Sequence, residues 1–529
     1  MLTKALGLTS HAEGHETVAI GGYSHAEGFK AQAIGDYSHA EGVKTEAKGR
    51  AHAEGDNSKA YGEASHAEGY TTEANGPRSH AEGDNTKATA NGAHAEGKGT
   101  VASGEQSHAE GRNVQAIGHN SHAEGDIETE NNSAYGRTIT YTTDGETVTK
   151  INDGFAHGDF SHREGRNTST FGNGAHTEGH GSMAIGNSSH AEGYKTTAIL
   201  GAAHAEGYET RAEGIGAHAE GRNTIAKGEC AHVEGKDIQA LADGAHAEGG
   251  IVASDRLHNR EVENAAGTKV ATGTGYASGI YSHREGKNTS ALGDYSHAEG
   301  SAAITKGNAS HAEGYKTDAI GTGSHAEGYV TSAEGDYSHA EGGETRAIGE
   351  KSHAEGGSSI ANGIISHAEG INTRTGDYVN GSVVANSNTS FGSFAHAEGN
   401  ATIAKGSCSH AEGKLTYAEG LWSHAEGYNS QTAGRSAHAE GDNTRAAADG
   451  AHAEGTNIKA GDEGGQPAYY STRSAYYIKG NYNVNIEGPL AANRGSHAEG
   501  VQTFAGEYAA HAEGFQTDAV GQASHAEGW

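Results

Sequence analysis

Histidine and glutamate recur at a fixed spacing along the whole chain. The run His-x-Glu-Gly occurs 31 times in 529 residues, with Ala, Arg, Thr or Val as the variable residue. Because residues two apart in a strand lie on the same face, each run would place an imidazole beside a carboxylate. Such a pair can join a hydrogen-bond ladder, bind a metal ion or respond to pH near neutrality.

These glutamates also explain the charge of the chain. The formal net charge is −32, from 69 acidic and 37 basic residues, and only 33% of the residues are hydrophobic. That composition is typical of disorder. However, without the 31 repeat glutamates, 38 acidic residues stand against the 37 basic ones. The acidity therefore belongs to one position of a repeat.

The repeat glutamates need a compensating group. Stacked at about 4.8 Å, two neighbouring carboxylates would repel by roughly 3 kcal/mol at an effective dielectric near 20. We interpret the rows as a His–Glu ladder that seals a contact between neighbouring chains. The alternative is a column of Zn²⁺ or Ni²⁺ sites, although metal sites seldom recur at every coil. Loss of assembly when the metal is chelated would favour this alternative. The residues that represent the predicted interchain ladder are His25, Glu27, His39, Glu41, His190, Glu192, His297, Glu299, His410 and Glu412.

The sequence does not indicate an enzyme. One arrangement repeated 31 times cannot be a tuned active site in every copy. No phosphate-binding glycine loop, nucleophile elbow or HExxH zinc motif is present. We therefore predict no catalytic residue, no cofactor and no metal. The chain has no basic patch to bind nucleic acid and no apolar run long enough to enter a membrane, and its two cysteines predict no intrachain disulfide.

The spacing of the runs predicts the fold. Most repeat histidines are 14 residues apart, which is the mark of a solenoid. In the copy from Ser24 to Tyr37, alternation places Ser24 and Ala26 on one face and the His and Glu on the other. A second short strand covers 31–35, and glycines at the fifth and twelfth places suit the turns. We predict an all-β fold, a parallel β-roll solenoid with an interior of Ser, Ala, Thr and Gly.

The two faces of the roll differ in how much they vary. Positions two to five hardly change, whereas the ninth and eleventh take Lys, Glu, Gln, Thr, Asn or Ile. All four insertions lie between one His-x-Glu-Gly run and the next. We therefore expect the His–Glu face to be enclosed and the variable face to be open to solvent. The chain is predicted to be a single repeat rod over 1–529, with insertions at 137–157, 250–276, 371–387 and 462–494.

Three insertions carry further signals. Alternating residues around Asp144-Gly145 predict a β-hairpin within 137–157. Arg163 and Arg284 replace the usual alanine in the first coils after two insertions, and we expect these arginines to reach out to the inserted loops. The last insertion is rich in tyrosine, which can stack on sugars or anchor a protein, although a loop packed on its own coils is an equal alternative. The predicted receptor-binding residues are Tyr469, Tyr470, Arg473, Tyr476, Tyr477 and Tyr482.

The repeated frame Ser-x-Ala-x-Gly, followed by a second strand of small residues, resembles the head repeat of YadA-like trimeric adhesins. It is also similar to phage tail-fibre proteins rich in Ser-His-Ala-Glu-Gly. The resemblance implies a left-handed β-roll that assembles as a homotrimer. Compared with complete members of the adhesin family, the sequence shows no signal peptide, heptad stalk or C-terminal membrane anchor; we expect this to indicate the phage type or a fragment of something longer.

We therefore expect a structural fibre that presents a receptor-binding surface, as a phage tail fibre or tail appendage located on the virion tail. The expected partners are a host-cell surface glycan or protein and other tail or anchoring proteins. A bacterial surface adhesin without its anchor, on the extracellular cell surface, is the first alternative. A polysaccharide-degrading tailspike is the second.

Overall fold

The computed structural model describes residues 3–128, 136–143, 146–251, 260–263, 269–272, 275–376, 378–379, 382–383, 392–456, 459–460 and 494–529. The chain divides into two compact units, Met1–Gly250 and Ile251–Trp529. Each unit is a parallel β-solenoid, and together they contain 31 coils, one for each His-x-Glu-Gly run. The predicted fold class is confirmed. No helix in the described residues is long and apolar enough to span a bilayer.

Each coil consists of two strands joined by two turns. In the coil from Ser24 to Tyr37, the first strand is His25–Phe29 and the second is Gln32–Ala33. His25 pairs with His39 of the next coil in parallel register. Each unit therefore has a sheet of first strands, in which like residues stack on like, and a sheet of second strands.

In the first unit, the first strands are His11–His15, His25–Phe29, His39–Val43, His52–Asp56, His66–Tyr70, His80–Asp84, His94–Lys98, His108–Arg112, His122–Asp126, His162–Arg163, His176–His180, His190–Tyr194, His204–Tyr208, His218–Arg222, His232–Lys236 and His246–Gly250. The second strands are Lys4–Ala5, Val18–Ala19, Gln32–Ala33, Glu46–Ala47, Lys59–Ala60, Glu73–Ala74, Lys87–Ala88, Val101–Ala102, Gln115–Ala116, Phe155–Ala156, Ser169–Thr170, Met183–Ala184, Thr197–Ala198, Arg211–Ala212, Ile225–Ala226 and Gln239–Ala240.

In the second unit, the first strands are His283–Arg284, His297–Ser301, His311–Tyr315, His325–Tyr329, His339–Gly343, His353–Gly357, His367–Ile371, His396–Asn400, His410–Lys414, His424–Tyr428, His438–Asp442, His452–Thr456, His497–Val501, His511–Phe515 and His525–Gly528. The second strands are Tyr276–Ala277, Ser290–Ala291, Ile304–Thr305, Asp318–Ala319, Ser332–Ala333, Arg346–Ala347, Ile360–Ala361, Arg374–Thr375, Ile403–Ala404, Tyr417–Ala418, Gln431–Thr432, Arg445–Ala446, Lys459–Ala460, Phe504–Ala505 and Asp518–Ala519.

The interior of a coil is made of small side chains, as predicted. Ser24, Ala26, Ala31 and Ala33 are buried. The serine hydroxyl is not left unpaired, because Ser24 Oγ donates a hydrogen bond of 2.6 Å to the backbone carbonyl of Gly21. Serine at the first position therefore satisfies a turn carbonyl while filling the narrow interior.

The two repeat glycines are required for different reasons. Gly28, at the end of the His-x-Glu-Gly run, has a φ of 113°, which side chains rarely adopt. A Cβ on Gly35, in the second turn, would lie 2.1 Å from the backbone oxygen of Gly49 in the next coil. The first glycine therefore permits the backbone conformation, and the second permits the close stacking of coils.

The first insertion contains a β-hairpin around the Asp-Gly pair. Thr138–Thr143 pairs antiparallel with Glu146–Ile151, and the turn residues 144–145 lie outside the described residues. The coil resumes earlier than the sequence boundary of 157, because Phe155–Ala156 already pairs with Gln115–Ala116.

The other insertions are described in part. In the second, Arg260–Glu263 pairs antiparallel with Lys269–Thr272. In the third, Tyr378–Val379 pairs antiparallel with Ser382–Val383. The fourth, 462–494, lies outside the described residues except for Arg494.

Candidate functional site: the repeated His–Glu face

The histidines form stacked columns on the sheet of first strands. The rings of His25 and His39 are 4.8 Å apart with an interplanar angle of 14°, and those of His297 and His311 are 4.9 Å apart at 2°. This spacing is the distance between strands, so the parallel register places each imidazole over the next. The sequence prediction that like residues stack is confirmed for these columns.

In the five representative coils, each histidine lies beside the glutamate of its own coil without forming a hydrogen bond to it. The shortest N–O distances are 3.6 Å for His25–Glu27 and 3.4 Å for His39–Glu41, and they reach 4.0 Å in other coils. These distances exceed those of charge-assisted hydrogen bonds. In the five representative coils the imidazole Nε2 atom is shielded from solvent and has no hydrogen-bond partner, namely in His25, His39, His190, His297 and His410.

The chain itself does not cover this face. In those five coils the histidine side chains are 34–39% exposed and the glutamate side chains 42–48% exposed. The paired glutamates are Glu27, Glu41, Glu192, Glu299 and Glu412. One chain therefore presents a regular row of acceptors beside a row of imidazoles. Pairing of these rows between chains stays a prediction.

Partial burial and stacking in the columns lower the pKa of several histidines. Partial burial lowers the pKa of His190, and the adjacent His176 and His204 lower it further, whereas Glu178 and Glu206 raise it. The pKa of His410 is lowered for the same reasons, with His396 and His424 as its neighbours. Stacked imidazoles disfavour protonation because each added charge would lie under 5 Å from the next ring.

The face also offers sets of metal-ligating atoms. Ten groups of two histidines and a glutamate, or similar sets, bring their ligand atoms within 4.8 Å in the described residues; His94, Glu96 and His108 are one such group. An ion about 2.1 Å from two imidazole nitrogens requires those atoms to be no more than about 4.2 Å apart. The centroids of the His94 and His108 rings are 4.7 Å apart, so the stacked column brings imidazole nitrogens of adjacent coils close together.

The arginines after the insertions are part of the interior, contrary to the expectation that they reach outward. Arg163 is fully buried and lies opposite Ala123 of the preceding coil. Its guanidinium donates hydrogen bonds to the backbone carbonyls of Glu124, Gly165 and Thr168. Burial lowers the pKa of Arg163 to about 10.

Arg284 occupies the same place in the second unit. It is fully buried, and it donates to the carbonyls of Gly286 and Thr289. In both coils the first strand is only two residues long, His162–Arg163 and His283–Arg284, and a buried guanidinium can satisfy several of the nearby carbonyls at once.

The variable face is covered where the first hairpin folds back on it. Ile139 of the hairpin packs with Met183, Ile185 and Ile199, which hold ninth and eleventh positions. Arg137, at the base of the hairpin, donates to the carbonyls of residues 195 and 196 and to Thr197 Oγ1. The expectation of an open variable face is therefore wrong for these coils. Consecutive apolar residues at these positions just after an insertion were the available signal.

The predicted receptor-binding residues belong to the last insertion, 462–494. Tyr469, Tyr470, Arg473, Tyr476, Tyr477 and Tyr482 lie outside the described residues.

The comparison with protein families agrees with the geometry of the coil. The family model of the YadA head domain repeat matches residues 5–24, 95–114 and 165–199. The match, together with the coils of about 14 residues, shows a likeness to YadA head repeats. The predicted resemblance is thereby confirmed. A search of curated proteins finds no match for the chain. In this chain the YadA-like head repeats carry an unbroken histidine column over long stretches, such as His66 to His122.

Proposed function

We propose that the protein is a homotrimeric fibre that attaches to a cell surface, as a phage tail fibre or tail appendage. The observation that carries the proposal is the combination of YadA-like head repeats with a His–Glu face that stays half-exposed in coil after coil. A face of constant sequence and regular geometry suits a symmetric contact between identical chains. The interior of Ala, Ser and Thr buries little apolar area per coil, so association would add stability.

Assembly can be tested on the glutamate row. Changing Glu192, Glu206 and Glu220 to Ala together should weaken the trimer, which in solution has three times the chain mass of 54.0 kDa. The matched control changes three glutamates of the variable sheet, Glu73, Glu213 and Glu419, to Ala. Analytical ultracentrifugation reads the mass of both variants. An unchanged trimer in the first variant would count against the enclosed His–Glu face.

Attachment can be tested on the last insertion. We propose that residues 462–494 form a receptor-binding loop, because loops on a rigid scaffold can carry recognition residues. Deleting 462–494 should leave the far-UV circular dichroism of the coils intact and reduce binding to intact host cells. Equal binding of the deleted and full chains would contradict this assignment.

The biological setting and the absence of catalysis are also proposals. Detection of the protein in purified virions, as opposed to the outer surface of a bacterium, separates a tail fibre from a surface adhesin. We propose binding without cleavage, because the same His–Glu pair recurs with N–O distances of 3.6–4.0 Å in coils along the chain, and one arrangement repeated so often does not mark a tuned active site. Shortening of surface polysaccharide on incubation with the protein would favour the tailspike alternative.

A further inference from the structure

Aromatic residues occupy a turn position where the fold does not require them. Tyr23 and Tyr37 precede the first position of their coils with φ of 56° and 60°, in the left-handed region. In other coils the same position is Gly92 or Asn120, residues that accept this conformation at low cost, but also Ala64 or Arg78. A tyrosine here has a less favourable backbone and gains no place in the interior. The turn therefore accepts tyrosine without requiring it, and the side chain is available at the surface.

The tyrosines form exposed stacked pairs, one in each unit. The rings of Tyr23 and Tyr37 are 5.1 Å apart and nearly parallel, at 5°. The rings of Tyr281 and Tyr295 are 5.6 Å apart at 23°. All four residues remain more than half exposed, at 53–66%. The pairs thus expose aromatic surface that packing within the described residues does not use.

An aspartate is positioned beside each pair. Asp36 Oδ1 accepts a hydrogen bond of 2.7 Å from the backbone N–H of Gly22, and Asp294 Oδ1 accepts one of 2.9 Å from Ile280. These bonds tie the turns of adjacent coils together and fix the carboxylate next to the tyrosines. The second carboxylate oxygen has no hydrogen-bond partner in the part of the chain that the structure describes. It is an acceptor available to a ligand.

Aromatic surface beside a fixed carboxylate suits a sugar. The C–H face of a pyranose packs on an aromatic ring, and its hydroxyl or amino groups donate hydrogen bonds to a carboxylate. The carboxylate disfavours an anionic sugar. The surface area of two rings is also far smaller than the roughly 800 Å² that each partner buries in a stable protein interface. The chemistry therefore favours a glycan over a second protein.

We propose that Tyr23–Asp36–Tyr37 and Tyr281–Asp294–Tyr295 are twin binding sites for an uncharged or amino sugar of a cell-surface glycan. This inference deepens the proposed attachment function and rests on it. Each site is small and its affinity low, near millimolar, but several copies on one assembly would add up through avidity.

The test uses the full chain and a defined panel of sugars. Saturation-transfer difference NMR is recorded with N,N′-diacetylchitobiose, lactose and glucosamine as probes, and sialyllactose as the anionic comparison. The double variant Tyr37→Asn and Tyr295→Asn should lose at least tenfold in transfer. Asparagine tolerates the left-handed backbone, so the variant should keep its melting temperature. The matched control is Tyr70→Asn, an exposed tyrosine at the end of a first strand, which should bind like the wild type.

Several outcomes would overturn the proposal. One is the absence of a saturation-transfer signal from every sugar at 10 mM. Another is an equal signal in the wild type and the double variant. The third is a stronger signal from sialyllactose than from the other sugars. A changed assembly mass in the double variant would identify the tyrosine rows as a contact between copies. Cell binding is measured separately. If the variant loses sugar binding but still binds cells, attachment stands and the twin sites are not its receptor site. If the wild type binds sugars but not cells, the twin sites stand and the proposed function fails.

Discussion

The coils before and after the first insertion share one backbone and one kind of interior, yet their second strands differ in character. Before it, the ninth positions carry Lys59, Glu73 and Lys87, which are partly exposed, and the last two approach within 3.4 Å. After it, Met183 and Ile199 are buried under the hairpin. The outer face of the second-strand sheet can thus be either a polar surface exposed to solvent or part of a hydrophobic core. Which role it takes depends on whether an insertion covers it.

The largest loss of stability should come from changing Arg163, in the first coil after the first insertion. Arg163→Ala would remove a fully buried guanidinium and leave the carbonyls of Glu124, Gly165 and Thr168 without their donor. We expect a loss of about 3–5 kcal/mol in local stability. Hydrogen exchange of the amides in 161–179 measures it. The control is Arg166→Ala, an exposed arginine paired with Glu128, which should cost less than about 1 kcal/mol. Equal effects would refute an interior role for Arg163.

The sequence was sufficient for the regular coil but not for its boundaries. The period, the two strands and the inward Ser24 and Ala26 follow from alternation and spacing, because every coil solves the same packing problem. The inward course of Arg163 does not follow from the repeat, because it depends on carbonyls exposed when the chain leaves the solenoid near Ile127. Burial of Met183 likewise depends on the path of the hairpin, and the repeat sequence of the coils does not determine that path.

A smaller difference should appear between equivalent ninth positions. Met183→Ala would open a cavity under the hairpin, and we expect a loss of about 3 kcal/mol. Val101→Ala, at the same place in an uncovered coil, is only partly buried and should cost less than about 1 kcal/mol. Urea denaturation followed by hydrogen exchange in each region compares the two variants. Similar losses of stability in the two variants would mean that the hairpin does not bury the outer face of the second-strand sheet.

The attachment of the hairpin itself can be weakened separately. Arg137→Ala removes the donor to the carbonyls of residues 195 and 196 and to Thr197 Oγ1. Burial in this contact lowers the pKa of Arg137 to about 10. We expect docking to weaken by about 2 kcal/mol, seen as faster proteolysis within 138–151. Arg78→Ala, an exposed arginine on a turn, is the control and should leave the cleavage rate unchanged.

Acid should act alike on both sides of the insertion, because the histidine column is the same there. The pKa values of His94 and His122 before it, and of His176 and His190 after it, are lowered by burial and by neighbouring histidines. A histidine whose pKa is below its unfolded value of about 6.5 binds fewer protons in the folded state than in the unfolded state. As the pH falls, proton binding therefore stabilises the unfolded state more than the folded state. Stability should be complete above about pH 6.5 and decline through the lowered pKa values, giving a lower melting temperature at pH 5.5 than at pH 7.5. Hydrogen exchange at both pH values should show the same loss in 94–122 and 176–204. A loss confined to one side would show that the hairpin, and not the column, controls the response to acid.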